Sequence, residues 1–314
     1  MRRLPPEERT LARFLAETDL SLEDVYRSRG WTWTGLLRAA GHPVPPEGPS
    51  ETDLSRGLRR LLHLDDPEWL ACLRAVLAQP APPDPGALPA RQVRILTALH
   101  FALSSDVAAR KRPVQGSLEA LWQHPAIRQE LVELLTVLED RASLVPVPLA
   151  EALGVDHPAP LAVHSTYRLD DILSAFSLLT PERPHRIREG VKFDPATRTD
   201  LFFITLEKAE KHYSPTTRYR DYALSPDLFH WESQSTTTVA SKTGQRYIKH
   251  RARGTHILLF VRQSRKDSGH TQPYVFLGPA DYEAHSGERP IAITWRLRVP
   301  MPPELLQRAK VASG

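Results

Sequence analysis

Leu228-Phe229-His230-Trp231-Glu232-Ser233, running on into Gln234-Ser235, sets the fold of the carboxy-terminal half. Read as a strand, it puts Leu228, His230, Glu232 and Gln234 on one face and Phe229, Trp231, Ser233 and Ser235 on the other, because successive strand side chains alternate. Two faces of such different chemistry predict one packed side and one accessible side. Downstream, Ser241-Lys242-Thr243-Gly244-Gln245-Arg246-Tyr247 and Ile257-Leu258-Leu259-Phe260-Val261-Arg262 continue the mixture of strand formers with hydroxyls, amides and bases. A plain hydrophobic core does not require so much polar chemistry.

Short apolar runs of the same kind lie on both sides, at 191–193, 201–206, 256–261, 274–277 and 291–297. Turn pairs such as Asp194-Pro195, Ser225-Pro226 and Gly278-Pro279 separate them. With helical patterns at 170–179 and 303–310, residues 159–314 read as a small, strongly curved β-sheet or β-barrel with flanking helices. Before Pro160 the period is helical. Leu54, Leu58, Leu61 and Leu62 form one apolar stripe, and Pro67 opens a helix carrying Trp69, Leu70, Leu73 and Leu77. Residues 1–79 are thus a helical region, 80–89 a proline-rich linker and 90–158 a helical connector, which makes the fold class α+β. Trp31 and Trp33 are assigned to packing in this helical part.

With 314 residues, 41% of them hydrophobic, the chain can fill real cores. No apolar segment follows the charged start at Met1-Arg2-Arg3, and the longest apolar run is about five residues, far below a membrane span. We expect no membrane association and a cytoplasmic location. The lone Cys72 reads as a small core residue of a reducing compartment. Charge is uneven: 18 basic against 21 acidic residues in 1–160, but 23 against 16 in 161–314. A net +7 on the carboxy-terminal half favours an anionic partner, nucleic acid first.

Several chemistries are excluded. The chain has no Gly-x-x-x-x-Gly-Lys-Ser/Thr loop, no Gly-x-Ser-x-Gly elbow, no His-Glu-x-x-His helix and no His-x-Lys pair. One cysteine cannot build a thiolate zinc cage. A Mg²⁺ nuclease using Asp227 and Glu232 survives as an alternative, although two metal-holding carboxylates normally come from different strands. Otherwise no cofactor or metal is implied.

The residues of this stretch suit binding instead. Gln234 and Glu232 can bond base edges, Tyr219, Tyr222, Trp231 and Tyr247 offer stacking planes, and Lys242, Arg246, Lys249 and Arg251 can hold phosphate. Asp221, His230 and Gln245 complete the polar set, and Lys249-His250-Arg251-Ala252-Arg253-Gly254 reads as a basic hairpin.

Arg188-Glu189-Gly190-Val191, Phe203 to Lys208, Tyr213 to Tyr222, His230-Trp231-x-Ser233-Gln234-Ser235, Ser241-x-Thr243-Gly244-Gln245-Arg246-Tyr247, Leu259-Phe260-Val261-Arg262 and Phe276-Leu277-Gly278 are also similar, in order and spacing, to a known family. They resemble the uncharacterised carboxy-terminal domain of large bacterial proteins that join a phospholipase-D-like nuclease to a DEAD/DEAH-type helicase. The resemblance adds Ser233, Ser241 and Arg262 to the site and departs from the family pattern at Glu232, where glutamine is usual. It implies work on DNA in defence or repair, and the small-barrel reading is in turn similar, by fold-level analogy, to PUA-like readers of modified bases. The expectation is a non-catalytic DNA-binding module, for modified or unstacked bases, acting with a helicase or nuclease chain. The alternative is an interaction module that docks such a chain.

Overall fold

Side-chain caps and prolines start the helices of the amino-terminal half. In the computed structural model, which describes residues 9–28, 30–49, 51–104, 106–184, 190–207, 221–267 and 269–311, Thr10 accepts from Arg13 N to open α1 (Leu11–Ala16). A π turn at Asp24–Ser28 follows, and Thr32 opens α2 (Trp33–Ala39) in the same way as Thr10. Next come α3 (Glu51–Leu58) and α4 (Pro67–Leu77), the latter with Asp66 as cap and proline in its first turn. After a 3₁₀ turn at Pro85–Ala87 the chain forms α5 (Ala90–Leu103), α6 (Val107–Arg110), α7 (Val114–Gln123) and α8 (Pro125–Arg141).

Contacts divide the chain into two units, Met1–Leu144 with Asp170–Arg186, and Val145–Leu169 with Ile187–Gly314. In the first, the stripe of Leu54, Leu58, Leu61 and Leu62 is buried, together with Trp69, Leu96, Leu121 and Leu134. The buried Glu130 carboxylate binds this unit from within. It accepts from Tyr26 Oη at 2.6 Å and from Trp33 N and Thr34 N at 2.7 and 2.9 Å, so an α8 side chain satisfies the first amides of α2. Trp33 is buried as expected, but Trp31 is 40% exposed, which corrects its assignment to packing. Cys72 is half-buried, and burial pushes its thiol up to about 11.

Past α8 lie β1 (Val147–Pro148), α9 (Leu149–Leu153), β2 (Ala162–Val163) and β3 (Thr166–Tyr167), then α10 (Leu169–Ala175). From Asp170 onward this segment belongs to the helical unit. There Asp171 meets His63 Nε2 at 2.8 Å, Asp170 accepts from Arg110 at 3.0 Å, and Arg94 donates to the Ala175 carbonyl.

The second unit adds β4 (Val191–Asp194), β5 (Thr199–Glu207), β6 (Tyr222–Ala223), β7 (Leu228–Glu232), α11 (Lys242–Ile248) and β8 (His256–Ser264). It ends with β9 (Lys266–Asp267), β10 (His270–Thr271), β11 (Tyr274–Ser286), β12 (Ala292–Leu297) and α12 (Pro303–Val311). One sheet has the order β4-β5-β8-β11-β12-β7-β6, with β3 also on β11. Only β5 and β8 pair in parallel among its described strands, and Ile257 to Val261 of β8 are buried without interruption, as a strand covered on both faces requires. Phe203, Phe260 and Phe276 pack on one face of this centre, with the latter two stacked at 4.5 Å. Phe202 points into the cluster on the other.

Helices lead and a mostly antiparallel sheet follows, but the barrel expectation is corrected. Among the described residues no pairing joins β4 to β6, so the sheet is open. Curvature enters through bulges in β11, between Phe276 and Gly278 and between Tyr282 and Ala284. Gly278 sits at φ 93°, where a Cβ would stand 2.8 Å from a Val163 methyl, so no larger residue fits the first bend.

Candidate nucleic-acid interface

On β7 the alternation read from the sequence holds. Phe229 and Trp231 are buried, while Leu228, His230 and Glu232 are half-exposed. Opposite them on β12, Ile293 pairs with Trp231 and Trp295 with Phe229, extending the buried face; Thr294 pairs with His230 and Ala292 with Glu232 on the accessible one. Tyr222 of β6 pairs with His230, their rings 4.9 Å apart, and His230 Nε2 lies 4.0 Å from Glu232 Oε1. Asp221 is buried and accepts from Glu232 N at 3.0 Å. Tyr222, His230 and Glu232 therefore share one polar face. Ser233 is fully buried, its hydroxyl accepting from Ile291 N, and Gln234 is exposed beyond the strand end.

The aromatics lie elsewhere. Trp231 is 6% exposed, with its ring 4.6 Å from Phe202 and 5.7 Å from Tyr247, and Phe202 also meets Trp295 at 5.5 Å. Trp231 and Tyr247 thus offer no free face to a base. Burial pushes the Tyr247 hydroxyl well above its ordinary range.

Ser241-to-Tyr247 is a helix rather than part of the strand pattern. Ser241 caps α11 by accepting from Gly244 N at 3.0 Å, and Gly244 and Tyr247, three residues apart, face inward. A Cβ at Gly244 would collide with the Thr238 carbonyl, so the helix sits tight against the preceding loop. Gln245 is engaged, donating to the Val239 carbonyl at 2.8 Å. Arg246 grips Asp200 with Nε and Nη2, both at 2.8 Å, while its guanidinium lies 4.6 Å from the Phe193 ring centre. Burial pushes the Asp200 carboxyl up from its ordinary range, and the Arg246 pair opposes that rise. Arg262 is likewise occupied, over the Tyr274 ring at 4.3 Å and donating to Thr205 Oγ1 at 3.0 Å.

The expected basic hairpin at Lys249 to Gly254 is a turn joining α11 to β8. Gly254 at φ 59° reverses the chain, Thr255 N returns to the His250 carbonyl, and residues 251–254 are exposed. Lys242, Arg246 and Lys249, spaced four and three residues apart, share one helical face. Among the described residues Lys242, Lys249 and Arg253 enter no ion pair, and all three are exposed. Arg198, at the β4–β5 turn, donates to the Arg253 carbonyl and extends the surface. Tyr219 lies outside the described residues.

Arg251 differs, because it pairs with Asp281 at 2.7 Å alongside Arg298 at 3.1 Å. Burial opposes ionisation of Asp281, but hydrogen bonds from Arg251 and Arg298 outweigh it and hold the carboxyl well below the usual carboxylate range. The unfolded value is near ~3.9, so this contribution is complete above about pH 5 and drains away as the pH falls below ~4. Asp281→Asn should be less stable than the parent at pH 7, with the gap narrowing in acid. A gap that stays constant from pH 7 to pH 3 in urea unfolding, a span in which the unfolded-state carboxylate begins to protonate while the folded one stays ionised, would contradict this.

Asp227 and Glu232 do not form a metal pair. Five strand steps put them roughly 16 Å apart, whereas Mg²⁺ ligands sit at ~2.1 Å. Asp227 is instead bound to Arg296 and Ser225. Among the described residues no cluster of three or more His, Cys, Asp or Glu could hold a metal, and no helix is long and apolar enough to cross a membrane.

Sequence reading missed Asp200 as the partner of Arg246 and Arg198 as a surface cation, while Arg253 entered only as part of the basic hairpin. An acid at the head of the apolar run 201–206 was the available signal for the first. Residues 161–309 match the family described as Domain of unknown function (DUF3427), which runs from β2 through most of α12. No curated protein is similar enough to this chain to count as a match.

Proposed function

We propose that the chain binds DNA without catalysing a reaction, and that it does so through the basic surface of α11 and the turn after it. The observation that carries this reading is the row of exposed, unpaired cations at Lys242, Lys249 and Arg253, among the described residues, with Arg198 beside it. Unpaired cations on one helix face and its C-terminal turn suit a string of phosphates, and each neutralised phosphate releases counterions. Exposed Gln234 remains the amide available to a base edge, while Trp231 and Tyr247 act as core. In its finer form the reading includes a helicase- or nuclease-bearing partner, taken from the resemblance, and recognition of modified bases through a PUA-like relationship, taken from fold-level analogy alone.

The test is a titration of labelled duplex against the full chain across a salt series. Replacing Lys242, Lys249 and Arg253 together by alanine should lower the slope of log K against log salt by about 2 to 3 and weaken binding at least about tenfold at low salt. The sites are exposed, so folding should be retained. An unchanged slope rejects the surface.

A further inference from the structure

We propose that the β9–β10 hairpin is an arm that enters the major groove of duplex DNA. This rests on the DNA-binding reading above and adds where, and how, the duplex is read. Strands β8 and β11 are antiparallel neighbours whose last pair is Val261 with Val275, and two residues would suffice to join such strands. The chain instead runs through Arg262-Gln263-Ser264-Arg265-Lys266-Asp267-Ser268-Gly269-His270-Thr271-Gln272, without one apolar residue. Lys266 pairs with Thr271 and Asp267 with His270, and all four are exposed. A ribbon this short, with nothing to bury, gains no stability from packing.

Its root is nevertheless fixed. Arg262 donates to the Gln272 carbonyl at 3.2 Å, Gln272 N returns to the Arg265 carbonyl at 3.1 Å, and Gln263 donates to Glu207 at 2.5 Å. A held root with a polar, exposed tip is a recognition device rather than a slack loop. Arg265 and Lys266 outnumber Asp267, which favours an anionic partner. Strands ~4.8 Å apart fit a groove ~12 Å wide, and arginine and lysine are the side chains that bond guanine O6 and N7 there. The major groove of A-form RNA is too narrow and deep for such a ribbon, so the occupant is B-form DNA. From His256, beside the α11 turn, to Ser264 at the root is about 26 Å along β8. Backbone surface and arm therefore fit within one helical turn of a duplex, about 34 Å.

The test compares the full chain with Arg265→Ala/Lys266→Ala on a duplex and on a single strand of equal length. Guanine N7 protection from dimethyl sulfate is read in parallel. The parent should prefer duplex and protect N7; the variant should lose about tenfold on duplex, keep its single-strand affinity and lose the protection. Equal loss on both forms, no loss on either, or N7 left open by the parent overturns the arm while the α11 surface stands. A parent that binds neither form removes both proposals.

Discussion

Trp231→Ala will destabilise the sheet unit by about 3–5 kcal/mol, the range for removing a large aromatic from a packed core. The ring contacts Phe202 and Tyr247, and its strand neighbour across the pair is the buried Ile293, so no flexible surface can close over the void. In a unit of this size the loss amounts to a melting point lower by on the order of 10 °C. DNA affinity per folded molecule should stay close to that of the parent, because the proposed cations lie on α11 and its turn. Thermal and urea unfolding, with binding measured well below the transition, separates the two effects. A variant that melts like the parent yet has lost DNA would make Trp231 a contact residue and sink the core assignment.

Arg246→Ala should cost nearly as much, about 3 kcal/mol at neutral pH, because it strands the buried Asp200 carboxylate rather than because it loses a phosphate contact. Its pH dependence is diagnostic. Without the guanidinium the folded-state value of Asp200 rises further above the unfolded one, so the folded variant takes up a proton more readily. Its deficit is then largest above that raised value and shrinks as the pH falls toward 4, near the unfolded value of ~3.9. Adding Asp200→Asn should restore part of the stability, since an amide carries no charge to strand. If the double variant is less stable than Arg246→Ala alone, the ion-pair account fails.

How far the sequence could be read depended on the type of signal. Every strand forecast from alternation and turn pairs exists, from Val191–Asp194 to Ala292–Leu297, because period two and β-branched content act locally. Gly278-Pro279 was read as the end of a strand, yet β11 runs through it to Ser286. Glycine at positive φ marked a bulge there, and only the Val163 side chain packed against it distinguishes a bulge from a turn. The helix α11 was missed because seven residues containing Thr243 and Gly244 have weak propensity, although the capping Ser241 was in view. At the candidate site, parity grouped Phe229 with Trp231 and His230 with Glu232 correctly. Parity cannot say which face another element covers. α11, arriving from later in the chain, buried the aromatic face and left the cations outward.

The open sheet has a consequence for how copies of this chain meet. Its long strands, β5, β8 and β11, are interior, while its ends are β4 with four residues and β6 with two. An end strand exposes unpaired amides and carbonyls that can template pairing with a neighbour, in proportion to its length. Pro195, directly after β4, contributes no amide donor there. Among the described residues these two short end strands offer a second copy little backbone to pair with, and a further open edge is residues 204–207 of β5, which runs beyond its pairing with β4.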